Sequence, residues 1–265
     1  MRYTHVLSCA GLAAALASLA GATPAMAQKE QQFSWHGRIA SGQTVEVRGI
    51  NGSIDASPAT GSEVEVVAVK RGRRDDPSQV KIDVVPHAGG VTICAVYPSR
   101  SGRPTNDCQP GGGHSDIRDN DVSVEFTVRV PAGVAFLGRN VNGGIGVKGL
   151  TGNVDAQTVN GGIEIATRGI ARAKTVNGSI DVVMGSTDWT GDLEFESVNG
   201  AVQVTLPANA SAHVTASTVN GGLNSDFPLM VQGRLNPRHI EGTIGQGGRE
   251  LRLQTVNGSI ELRRS

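Results

Sequence analysis

From residue 134 onward, apolar and polar residues alternate with a period of two in short runs. Val154, Ala156 and Thr158 fall on one side of such a run, as do Phe195 and Ser197, then Val214, Ala216 and Thr218, and Leu251, Leu253 and Thr255. A second set follows the same rule: Ile163 and Ile165, Ile180 and Val182, Val202 and Val204, Ile260 and Leu262. Between them stand Asp155, Gln157, Glu164, Asp181, Glu194, Glu196, Gln203, Arg252, Gln254 and Glu261. This alternation predicts strands with one aliphatic face and one wet face. No helical period appears after residue 27, so the chain beyond that point reads as all-β.

One phrase joins the paired runs. It occurs as Asn51-Gly52, Asn142-Gly143, Asn160-Gly161, Asn177-Gly178, Asn199-Gly200, Asn220-Gly221 and Asn257-Gly258, each preceded by Val or Ile. Asn-Gly is the pair that most readily takes consecutive residues to positive φ, which makes these fourteen residues the expected structural turns. A near-constant period with insertions marks a repeat architecture. Two topologies fit: an antiparallel β-meander tipped by two-residue hairpins, or a β-solenoid of the right-handed parallel β-helix kind. In the solenoid each period stacks on the last about 4.8 Å away. Thr-Val-Asn-Gly recurs letter for letter at 158–161, 175–178, 218–221 and 255–258. Stacked corners place like on like, where Asn amides and Thr hydroxyls form ladders, and this favours the solenoid.

Residues 28–133 also read as β but with longer strands punctuated by Pro77, Pro86, Pro98 and Pro131, which suggests an N-terminal β-sheet cap on repeats spanning 134–265. The Gly/Ser/Pro/Asp stretch between Ser99 and Asn120 reads as a mobile surface loop. Residues 1–27 read as an export signal, with an apolar run from Val6 to Ala20 and a small-x-small step at Ala25-Met26-Ala27. Export places Cys94 and Cys108 where disulfides persist, and the two are expected to pair. The product should then lie in the periplasm, on the cell surface or outside the cell, with no transmembrane segment in the mature chain.

Composition sharpens this picture. Glycine takes 36 of 265 residues, about twice the usual share near 7%, while aromatics are only 3%; many corners and a thin aliphatic core fit both. The 24 basic and 24 acidic residues balance, which gives no electrostatic reason to bind nucleic acid.

An export signal, an early N-G-S-I at 51–54, a V-P-A-G step at 130–133, tandem V-N-G-x-I repeats and a closing G-T-I-G at 242–245 before a last N-G-S-I at 257–260 together resemble the bacterial putative-adhesin, β-strand-repeat family, a domain-of-unknown-function family of the cell envelope. The resemblance implies a parallel β-helix and carries over no catalytic residue. The loop bracketed by Cys94 and Cys108 departs from it.

Candidate chemistry is sparse. The sequence has no G-x-S-x-G, H-E-x-x-H or C-x-x-C, and the histidines beyond residue 27 (His36, His87, His114, His213, His239) are scattered. Four positions after each repeat asparagine runs a column of Asp55, Gly146, Glu164, Asp181, Gln203, Asn224 and Glu261. Glu164 and Asp181 would sit on adjacent turns of a stack, close enough for paired carboxylates or a weak Ca²⁺ site. Asp107, Asp116, Asp119 and Asp121 are acidic but match no calcium-loop spacing. Trp189, between Asp188 and Thr190, is expected at an exposed loop tip where it could meet a sugar or a partner. No cofactor or metal is expected. The leading reading is a non-enzymatic exported scaffold or binding module whose partner is an envelope protein or glycan. Its rivals are a carbohydrate-active β-helix enzyme using the acidic column and a periplasmic partner in envelope-stress signalling.

Overall fold

A computed structural model describes residues 29–116, 119–231 and 238–265; the expected leader at 1–27 lies outside them. Up to Pro131 the strands are β1 (Lys29–Arg38), β2 (Thr44–Arg48), β3 (Ile54–Pro58), β4 (Glu63–Gly72), β5 (Lys81–His87), β6 (Gly90–Val96) and β7 (Ser123–Val130). After it come β8 (Ala135–Arg139), β9 (Ile145–Leu150), β10 (Val154–Gln157), β11 (Ile163–Thr167), β12 (Ala171–Lys174), β13 (Ile180–Met184), β14 (Leu193–Glu196) and β15 (Val202–Leu206). The chain finishes with β16 (Ala212–Asn220), β17 (Leu223–Ser225), β18 (Met230–Val231), β19 (His239–Ile244), β20 (Glu250–Asn257) and β21 (Ile260–Arg264). Among the described residues no helix is long and apolar enough to cross a membrane.

The strands form two facing sheets, and from β6 to β17 consecutive strands alternate between them, so a strand pair and its corner make one rung. Through the middle of the molecule the rungs stack in parallel, β9 on β11 on β13 on β15 in one sheet and β8 on β10 on β12 on β14 in the other. This is a β-solenoid, and the meander is excluded. Inward positions align in columns: Ile54, Ile145, Ile163, Ile180, Val202 and Ile260 are register partners in sequence along the stack, and all are buried. The core between the sheets is thin, which explains why Val, Ile, Leu and Ala fill it and few aromatics are needed.

Rung order departs from chain order at both ends. Along the stack the rungs run β6/β7, β2/β3, β8/β9, β10/β11, β12/β13, β14/β15, β20/β21, β16/β17. The first rung of the chain is therefore second in space, and the last is second from the other end. At the far end β19 turns back antiparallel on β16, and β20 then enters between β14 and β16. Two consequences follow. The strands nearest the C-terminus are hydrogen-bonded on both sides, and the sheet edges fall to β1, β5, the three-residue β17 and the two-residue β18. The shortness of β17 and β18 blunts edge-to-edge association at that end.

The same order revises the N-terminal cap expected at 28–133. At that end β1 pairs antiparallel with β4, β4 with β7, and β5 with β6. However, β2/β3 is a regular rung: β2 pairs in parallel with β8 and β3 with β9, so both sheets run unbroken across Pro131. Its Asn51-Gly52 corner belongs to the same series as the others.

Candidate functional site

Each Thr-Val-Asn-Gly corner divides four tasks among four residues. The threonine points inward: Thr158, Thr175, Ser197, Thr255 and Thr218 are buried. Their hydroxyls donate to the carbonyls of Gly143 (3.0 Å), Gly161 (2.9 Å), Gly178 (2.8 Å), Gly200 (2.8 Å) and Gly258 (2.9 Å) on the neighbouring rung. A buried carbonyl without a donor costs about 1–3 kcal/mol, so the hydroxyl is the natural solution.

The asparagines form one continuous ladder. Nδ2 of Asn142, Asn160, Asn177, Asn199, Asn257 and Asn220 donates to Oδ1 of Asn51, Asn142, Asn160, Asn177, Asn199 and Asn257, at 2.7–2.9 Å throughout. Every amide points the same way, which allows the bonds to polarise one another.

The glycines are required for a different reason than the sequence suggests. Of the seven, only Gly52 (φ 118°) and Gly143 (φ 143°) have left-handed φ, and no corner asparagine does. The constraint is close stacking: a Cβ on Gly161, Gly178, Gly200 or Gly258 would lie 2.0–2.2 Å from the carbonyl oxygen of the corner glycine on the adjoining rung.

The valine has nothing inside to touch. Alternation turns it outward, and Val141, Val159, Val176, Val256 and Val219 are 38–53% exposed. With the half-buried Ile50 and Val198 they make an apolar ridge running beside the asparagine ladder. A contiguous exposed apolar strip on a soluble surface marks an interaction site more often than single exposed residues do.

Beside the ridge lies a groove of about 370 Å³, walled by Val159, Val176 and Val198 on one side and by Arg139, Lys174 and Glu196 on the other. Its polar wall is internally paired. Lys174 Nζ meets Glu194 at 2.5 Å and Glu196 at 3.3 Å, and the Glu194 hydrogen bond above all holds the ammonium pKa above its ordinary value. Arg139 donates to Gln157 at 2.6 Å. Such pairing leaves little net field to steer a charged ligand.

Residues 139–263 match the model of the Toastrack DUF4097 family. The match lies within the repeats and covers 125 of the 265 residues. This agrees with the resemblance read from the V-P-A-G step and the tandem repeats. No protein of curated function matches the chain. Among solved structures, a putative cell adhesion protein from Clostridium sporogenes is 11% identical over 89% of this chain and 100% of that chain, with a TM-score of 0.48. A putative adhesin from Bacteroides fragilis is 14% identical over 88% and 97%, with a TM-score of 0.31. Another from Parabacteroides distasonis is 11% identical over 88% and 97%, with a TM-score of 0.25.

Outside the Toastrack match, the loop between β6 and β7 replaces the Asn-Gly corner in the end rung. Cys94 and Cys108 are joined, with Cα atoms 5.7 Å apart. The loop is tied down more firmly than its composition suggests: Asn106 is buried, its Nδ2 donates to the Tyr97 carbonyl at 3.0 Å, and its Oδ1 accepts from the Asp116 amide at 2.7 Å. Between this loop and the first rungs is a cleft of about 210 Å³ lined by Ile50, Val141, Arg48, Arg139, Asn106 and His114. It adjoins the groove at Arg139 and Asn140. Glu46 is buried behind it, paired with Arg48 at 2.6 Å and Arg139 at 3.3 Å and accepting from Thr92 at 2.9 Å.

On the opposite sheet the Toastrack rungs align the acidic column in space: Gly146, Glu164, Asp181, Gln203, Glu261 and Asn224 are register partners in that order. Glu164 and Asp181 are adjacent and exposed, and Gln203 donates to Asp181 at 3.1 Å. Among the described residues no three His, Cys, Asp or Glu side chains cluster to hold a metal.

Trp189 requires a correction. It is fully buried rather than exposed at a loop tip. Its indole N–H donates to the Glu250 carbonyl at 3.2 Å, and the Arg249 guanidinium lies 6.0 Å from the ring centroid. An indole with its polar edge satisfied is a core residue, so Trp189 is no binding candidate. The surface overlooked in the sequence is the valine ridge. Its signal was present: a β-branched residue recurs between an inward Thr and a corner Asn.

Proposed function

We propose that the protein is a non-enzymatic binding module of the cell envelope that engages its partner, an envelope protein or glycan, through the valine ridge and the adjoining groove. The observation that carries this reading is the ridge itself. Outward positions elsewhere on the stack are mostly polar, whereas here a β-branched residue is kept facing solvent on rung after rung. Extended backbone favours β-branched residues, but threonine would meet that preference with a polar surface, so strand propensity alone does not account for valine. The stack supplies rigidity: every ridge side chain except Val219, on the last rung, is held by strands bonded on both sides, which keeps the ordering cost of binding low. An export signal at residues 1–27 and the Cys94–Cys108 bridge support a location outside the cytoplasm.

Retention of envelope components on the immobilised mature chain tests this. V159D/V176D should abolish retention while leaving the fold intact, and E164A/D181A should leave retention unchanged. The opposite pattern would move the binding face to the acidic column.

A further inference from the structure

The asparagine ladder is chemically a row of reactive sites. In an Asn-Gly pair the glycine amide nitrogen can attack the asparagine Cγ, because glycine has no side chain to hinder the approach. The nitrogen bonds to Cγ and gives up its proton, the Cγ–Nδ2 bond breaks, and Nδ2 leaves as ammonia. Water then opens the five-membered imide at either carbonyl to give aspartate or isoaspartate. Water is the only co-reactant, and no oxidation state changes.

Six of the seven corners are guarded against this reaction. The amide nitrogens of Gly52, Gly143, Gly161, Gly178, Gly200 and Gly258 each donate to the main-chain carbonyl of the asparagine on the next rung, at 2.8–3.0 Å. The attacking atom is thereby held away from its own asparagine side chain. Each of the six asparagine Oδ1 atoms also accepts from the next amide in the ladder. The exception is the corner of the rung that stands last in space, β16/β17. Among the described residues the Gly221 amide has no hydrogen-bond partner, and Oδ1 of Asn220 accepts none. Both residues are exposed, and the neighbouring Val219 is the most exposed of the ridge valines at 53%.

We propose that Asn220 is the deamidation site of the folded protein, converted by its own Gly221 amide while the other six corner asparagines are preserved. Conversion removes the Nδ2 donor that binds Asn257 Oδ1 at 2.8 Å and sets a carboxylate against that oxygen. The outermost rung then loses its side-chain tie to the ladder. The modification therefore marks one end of the ridge and loosens it, whereas the loop over β6/β7 closes the other.

The test is peptide mapping by mass spectrometry after prolonged incubation of the folded mature chain in mildly alkaline buffer, with a urea-unfolded sample alongside. In the folded chain Asn220 should convert roughly tenfold faster than any other corner asparagine, the factor expected from one missing hydrogen bond. In urea all seven should convert at similar rates. Even conversion across the seven sites in the folded chain, faster conversion at an interior site such as Asn177, or an unreacted Asn220 beside a reacting unfolded control would each overturn the proposal.

Discussion

The carbonyl oxygen of Gly161 stands 2.0 Å from the point where a Cβ on Gly178 would lie. No real Cβ tolerates that distance, so the rungs must part or the chain must bend. Gly178→Ala is expected to destabilise the fold by about 3 kcal/mol or more. Gly222→Ala, one residue past another corner and facing open space, should cost far less. Urea unfolding of the two variants against the parent separates close stacking from simple glycine flexibility.

The buried hydroxyl of Thr175 supplies the donor for the Gly161 carbonyl at 2.9 Å. Thr175→Val keeps shape and burial but leaves that carbonyl unpaired, at a cost of about 1–3 kcal/mol. Thr175→Ser, which restores the residue type found at Ser197, should recover most of the loss. Thermal melts of the three proteins check this.

Asp121 ties the last residues of the loop between β6 and β7 to the turn that follows β4. It accepts from the amides of Asp75 and Arg74, each at 3.0 Å, and these two bonds hold its carboxyl down to about 2. A folded-state value below the unfolded one stabilises the protein above the unfolded pKa, near 3.9, and loses that contribution as pH falls towards the folded value. The stability difference between the parent and Asp121→Asn should therefore be constant above about pH 4 and shrink between about pH 4 and pH 2. Melting temperatures of both proteins across that range provide the measurement.

Rung order can be read chemically. Neighbouring rungs lie about 4.8 Å apart, within the span a disulfide bridges, whereas rungs two apart do not. Val256 has Val198 on one side and Val219 on the other, because β20 enters between β14 and β16. Val198→Cys with Val256→Cys, and Val219→Cys with Val256→Cys, should each form a new disulfide under mild oxidation. Val198→Cys with Val219→Cys should not.

Much of this architecture is legible in the letters, and the parts that are not have identifiable causes. Period-two alternation locates the strands because inward columns such as Ile145, Ile163 and Ile180 must be aliphatic in a thin core. Letter-for-letter corners reveal the ladder because stacking places like on like. The swapped ends leave no such trace. The long interval between Asn220 and Asn257 reads as an insertion, whereas it contains the antiparallel return that lets β20 slip inward. The error at Trp189 has the same origin. Its hydrogen-bond partner, the carbonyl of Glu250, is 61 residues away and comes near only because β20 lies beside β14. Asn140 shows a smaller limit. It stands where five of the other six corners carry Thr or Ser and the first carries Gly49, and its Nδ2 reaches the carbonyls of Gly52 (2.6 Å) and Gly143 (3.1 Å). The substitution keeps the donor without keeping the letter. The valine ridge was readable but easily passed over, because β-branched residues in a strand are ordinarily assigned to the core.

The valine ridge as a binding face is tested most directly by site-specific photocrosslinking in the protein's own envelope extract. Val176 on the ridge and Val183 on the opposite sheet are the same residue type with similar exposure, 39% and 44%, so each controls for the other. A photoreactive residue at position 176 should capture a discrete component that the same residue at position 183 does not. Capture at 183 alone, or equal capture at both, would contradict the ridge as the binding surface.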